Sequence, residues 1–159
     1  DSHNYHTKSP RSAAPGRGWV VVRAPKLETA ALFESMSRGD FYSSTGVELA
    51  RLNYDPKQRT LHVAVVPKPG AKYTIDFIGT PADLKLPKDA ALNETADIGK
   101  VLASREGAWA TYRLKDNDLY VRAHIRSDRP MVHPNSTGVQ NEEAWTQPVG
   151  WEKHLPSSK

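Results

Sequence analysis

The sequence predicts an α+β protein: a mainly antiparallel β-sandwich over residues 47–159, preceded over residues 1–46 by a strand and a helix that form part of a β/α repeat. Three observations carry this expectation. Past Gly46, short strand-like segments follow one another with no helix between them, the pattern of a sandwich. Ahead of Gly46, Trp19-Val20-Val21-Val22-Arg23 holds a continuous β-branched run of the kind found in strands buried on both faces, with helices as neighbours. Between the two lies a single stretch with helical spacing of its apolar residues.

Taken in order, Asp1 to Gly18 is polar and rich in Ser, Pro and Gly, and reads as a loop. The buried strand comes next, and Pro25 disfavours helix in the residue before it. From Leu27 to Arg38 the spacing places Leu32, Phe33 and Met36 on one helical face, and Gly39 suits the residue just past a helix end. Val47–Tyr54, Thr60–Val66 and Tyr73–Ile78 are expected strands, the second and third alternating as Leu61, Val63, Val65 and Tyr73, Ile75, Phe77. Asp55-Pro56-Lys57-Gln58 reads as a hairpin turn. Pro81 to Asp97 is polar and weakly patterned, a long connection. Gly99–Ser104, Trp109–Leu114 and Leu119–Ile125 complete the set, with Asp116-Asn117-Asp118 as a tight turn. Arg126 to Lys159 reads as an irregular tail that packs on the body through Trp145 and Trp151.

Composition bounds the function. At 159 residues the chain is too short for a complete β/α barrel enzyme of about 250 residues. Hydrophobic and charged shares of 38% and 25% are those of a folded domain, and no apolar run approaches the roughly 18 residues of a membrane span. With no cysteine, thiol catalysis and thiolate metal sites are excluded, leaving His, Asp and Glu as strong metal ligands. The net charge of +4 is local: Lys8, Arg11, Arg17, Arg23 and Lys26 face only Asp1 in the first 26 residues, and the remainder is balanced. A nucleic-acid binder would spread its charge along one face, so nucleic acid is not an expected partner, nor, without an apolar run, is a membrane; the basic loop reads as a solvated tail, with contact to an anionic group such as a phosphate as the alternative.

The motif with most chemistry is Asp1-Ser2-His3. A carboxylate and an imidazole two residues apart lie on one side of an extended chain and can reach one metal ion such as Zn, Mn or Fe. Elsewhere His62 and His124 fall in strand patterns and face solvent or a polar seam. Glu142-Glu143 reads as a solvated pair, and Asp40-Phe41-Tyr42 as a packing hinge. Trp109, Trp145 and Trp151 read as core or tail anchors, with a carbohydrate-stacking platform as the alternative.

Asp1-Ser2-His3-Asn4-Tyr5, the segment Gly18 to Pro25, and Arg38-Gly39-Asp40-Phe41-Tyr42-Ser43-Ser44-Thr45-Gly46, in that order, resemble the end of the polymerase and histidinol phosphatase (PHP) domain. In that family an Asp-x-His motif, a buried strand and a final helix lead through a "GdFYaStG" signature into a β-rich domain. Tyr120-Val121-Arg122 and Ala144 to Val149 extend the likeness more loosely. The resemblance implies a truncated β/α barrel ahead of the sandwich and a metal-dependent, phosphoesterase-like hydrolase that activates water on divalent ions (Zn, Mn or Fe). It places Asp1 and His3 among the metal ligands of an anionic small-molecule or phosphoester substrate site. His6 then becomes a candidate proton donor and Arg17 a candidate substrate contact. The family's early His-x-His motif and its other ligands are not in this sequence, so the chain is expected to be the C-terminal part of a longer protein and inactive alone. Trp19 to Val22 would then lack cover and favour self-association. The alternative is a non-catalytic sandwich module that binds a glycan or a protein.

Overall fold

The computed structural model describes residues 5, 6, 9, 14–85, 97–133 and 140–155. Among them are β1 (Trp19–Val22), α1 (Thr29–Ser37), β2 (Phe41–Ser44), β3 (Leu49–Asp55), β4 (Thr60–Val65), β5 (Tyr73–Pro81), β6 (Lys100–Glu106), β7 (Trp109–Arg113), β8 (Asp118–Pro130), β9 (Asn141–Thr146) and a 3-10 helix, Trp151–His154. The strands form a six-stranded sheet in the order β1-β2-β9-β8-β5-β6 and a three-stranded sheet in the order β3-β4-β7. Every pairing is antiparallel. The chain is thus a mainly antiparallel β-sandwich.

The core follows from period-two alternation. Leu61, Val63 and Val65 of β4 face Ile75 and Phe77 of β5 and Val121, Ala123 and Ile125 of β8, all buried. Phe77 stacks on Tyr112 of β7 across the interface, with ring centroids 5.3 Å apart. Burial, with the hydrogen bond that its hydroxyl donates to Asp118 Oδ2, pushes the Tyr112 phenol well above its usual range. The hairpin before β4 forms as expected, with Asp55 Oδ1 accepting from the amides of Lys57 and Gln58. The turn at 116–118 joins β7 of one sheet to β8 of the other, so it is a corner between layers.

Three expectations need correction. First, β1 is not buried between helices. It is an edge strand paired antiparallel to β2, and Trp19 and Val20 are each 47% exposed, because the three-stranded sheet is too narrow to cover the outer strands of the wider one. Second, α1 forms, but its apolar face is not covered: Phe33 is 72% exposed, whereas Ala31 and Ser35 are buried. Its end is as read, since Gly39 (φ 78°) carries a Schellman turn in which the Gly39 amide donates to Met36 O and the Asp40 amide to Ser35 O. Third, the tail is not irregular throughout. β9 inserts between β2 and β8 and thereby joins strands from residues 1–46 to those from 47–159 in one sheet.

Candidate functional site

Two places on the sandwich gather polar groups. The first is the outer face of the wide sheet. Register aligns Ser43, Trp145, His124, Asp76 and Ser104 in one row across β2, β9, β8, β5 and β6. Alternation turns these side chains away from the core that Ile75, Phe77, Ala123, Ile125 and Ala144 fill. His124 Nε2 lies 2.6 Å from Glu143 Oε2, and its ring stacks on Trp145 at 5.2 Å with 11° between planes. With the proton assigned to Nε2, the imidazole donates to the carboxylate. Beside it Asp76, only 6% exposed, accepts from Ser104 Oγ and from Arg126 Nη2, both at 2.6 Å. Both carboxylates are thus satisfied. A His-carboxylate dyad orients an imidazole, but the neighbouring hydroxyl of Ser104 is committed to Asp76, so the row lacks a nucleophile placed on the ring. Among the described residues no group of three His, Asp or Glu side chains is placed to hold a metal ion.

The second is a cavity of 790 Å³ on the flank, where the inner faces of β1 and β2 overhang β3. Trp19, Val21, Leu49 and Leu52 line it with Tyr42, Gln147 and several charged groups. Arg23 spans it, donating to Leu52 O at 3.0 Å and to Asp40 Oδ1 at 2.8 Å, while Arg38 Nε reaches Asp40 Oδ2 at 3.1 Å. The hydrogen bond from Arg23, aided by Arg38 and opposed by partial burial, holds the Asp40 carboxyl below its ordinary 3.8. The folded state therefore binds fewer protons than the unfolded chain near that pH. This stabilisation is complete above pH 3.8 and is lost as pH falls through the lower folded value. Urea midpoints measured from about pH 6 to about pH 2 are expected to fall less steeply for Asp40→Asn than for the parent, and equal slopes would remove Asp40 from the acid limb.

Asp1 and His3, the expected metal ligands, lie outside the described residues, as do Lys8 and Arg11. His6 is exposed, and Arg17 donates to Ser9 O at 2.6 Å. Arg23 pairs with Asp40, and Lys26 with Glu28 at 2.7 Å. Two of the described cations of the surplus, Arg23 and Lys26, are thus ion-paired within the chain. Glu142 and Glu143 are not a solvated pair. As neighbours on β9 they point to opposite faces, and Glu142, 5% exposed, meets Lys68 Nζ at 2.8 Å through both oxygens. Trp109 and Trp145 lie on opposite outer faces of the sandwich, so they form no common platform. Asp40-Phe41-Tyr42 packs as expected, with Tyr42 buried and its hydroxyl accepting from the Leu49 amide. The row through His124 escaped the sequence reading because its members are far apart in the chain, and only the order of strands brings them together.

No protein-family model matches the chain, and no curated protein or solved structure matches it. No helix among the described residues is long and apolar enough to cross a membrane.

Proposed function

We propose that this chain is the sandwich-bearing portion of a PHP-type, metal-dependent hydrolase, and that it serves the catalytic body rather than performing chemistry itself. In this reading Asp1 and His3 supply the last ligands of a divalent-metal cluster, His6 and Arg17 sit at its rim, and an anionic or phosphoester substrate is cleaved by a metal-activated water. β1 and α1, which belong to the sandwich through β2, are in this reading the side that meets the catalytic body. The observation that carries the reading is the uncovered apolar surface of that unit: Trp19, Val20, Leu27, Phe33 and Met36 are all exposed, in the segment whose sequence resembles the family. Such a patch is unusual on a free-standing domain and is covered by a further body in this proposal. β1 pairs on one edge with β2, and its other edge has no partner among the described residues, so a further strand has room to add there.

The test has two readouts. The coding sequence upstream of Asp1 is expected to specify a His-x-His motif and further barrel strands, and its lack of both would overturn the reading. In the protein containing that region, Asp1→Ala with His3→Ala is expected to lower bound metal measured by elemental analysis, whereas equal content removes these two residues from the site. The second reading is a non-catalytic binding module, for which the 790 Å³ cavity lined by Trp19, Val21, Leu49 and Leu52 offers an apolar surface. It expects the chain alone to bind its partner with no metal.

A further inference from the structure

A second cavity lies by the outer face of β8, on the other side of the segment 147–149 from the first. Its volume is 590 Å³, within the range of small-molecule sites. One wall is the start of β8, with Tyr120 and Arg122 on the outer face; the other is Pro148 and the 3-10 helix, with Trp151, His154 and Leu155. The walls are fixed to each other. Val121 and Val149 exchange two backbone hydrogen bonds, at 3.0 and 2.9 Å, and His154 Nε2 lies 3.2 Å from Asp118 O. Gly150 (φ 84°) turns the chain between them, where a Cβ would meet Leu114 Cδ2 at 2.5 Å and the Tyr54 hydroxyl at 3.0 Å. Tyr120 is held by the hydroxyl of Thr80 at 3.2 Å.

Arg122 is the odd member. Every other arginine of β8 has an acidic neighbour, Arg126 with Asp76 and Arg129 with Glu142, but Arg122 makes no hydrogen bond or ion pair with any described residue. Its Nε is buried and unpaired, as are those of Arg17 and Arg59, but those two side chains bond through their Nη groups and Arg122 does not, and no carboxylate lines the cavity. A buried guanidinium N–H without an acceptor is rare in folded proteins, and a planar fork between aromatic walls suits an oxyanion carried on a flat apolar body.

We propose that this cavity binds a small aromatic oxyanion, a carboxylate or a phosphate monoester, with Arg122 engaging the anion and Tyr120, Pro148 and Trp151 flanking the ring. The inference stands apart from the hydrolase reading, since none of these residues belongs to the loop or to β1. The test is titration of the full chain with phenylacetate, phenyl phosphate and benzyl alcohol, following the indole N–H resonance of Trp151. Saturable shifts with at least one of the two anions, much weaker with the alcohol, are expected, and the stronger anion identifies the headgroup. Arg122→Gln is expected to weaken the anion about tenfold, and Arg105→Gln, which removes an exposed charge on β6, to leave it unchanged. The proposal is overturned by equal binding of the alcohol, by equal loss in both variants, by an unaffected Arg122→Gln variant, or by no saturation by about 10 mM. The comparison of anion with alcohol on the parent chain decides even where the variant folds poorly.

Discussion

Replacing Lys68 by Met is expected to destabilise the fold by about 2–4 kcal/mol, more than any other single surface-accessible side chain described above. The Lys68 side chain is one-third exposed, but its partner is not: the Glu142 side chain is 7% exposed, and both of its oxygens sit 2.8 Å from the ammonium. The same ammonium donates to Gly46 O at 2.9 Å, so one group ties the β2–β3 turn, the β4–β5 connection and β9 together. Removing it strands a buried carboxylate whose next cation, Arg129, stands 3.9 Å away. Chemical denaturation measures the loss. Lys68→Met with Glu142→Gln is expected to recover much of it, because the uncompensated charge is gone. A single variant within about 1 kcal/mol of the parent would show that the pair contributes little.

Gly79→Val is expected to cost at least about 3 kcal/mol, lowering the melting temperature by roughly 6–12 °C. Gly79 lies on β5 between β6 and β8, and a Cβ there would press on the backbone carbonyl of Tyr120 and on Leu102 Cδ1 at 2.6 Å. The leucine tip can turn aside, but the carbonyl belongs to the β5–β8 ladder and cannot yield without parting the strands. Trimming Leu102 to Ala in the same chain is therefore expected to give little relief. A Gly79→Val melting point within about 2 °C of the parent would mean that the two strands separate at little cost.

β4 and β5 are legible because their core-facing residues alternate in sequence, as Leu61, Val63, Val65 and Tyr73, Ile75, Phe77. β9 was hidden. Its core-facing positions are Glu142, Ala144 and Thr146, of which only alanine is apolar; the burial of Glu142 depends on Lys68, 74 residues earlier, and Thr146 is buried with its hydroxyl accepting from the Ala123 amide. β1 misled in the opposite sense. Val20-Val21-Val22 has the composition of a strand covered twice, and the chain described here covers it on neither face completely. The same holds for Phe33 and Met36 of α1, whose spacing marked a buried stripe that the sandwich leaves open. The candidate site is legible only in part: the strand pattern leaves His124 facing solvent or a polar seam, and Glu143, Asp76 and Arg126 join it through strand order, which periodicity does not encode.

The position of β9 also governs how the chain assembles. Thr45 and Glu143 exchange hydrogen bonds across 98 residues of sequence, and β1 and β2 touch the rest of the wide sheet through β9. During synthesis from the N-terminus, β3 to β8 can close their ladders while β1 and β2, although made first, must wait for the last strand. Loop closure over so long a span is slow. The apolar flank of β1 and α1 is therefore exposed from early in synthesis and stays exposed once the sheet has closed, so a chaperone or a neighbouring domain can meet it at any stage.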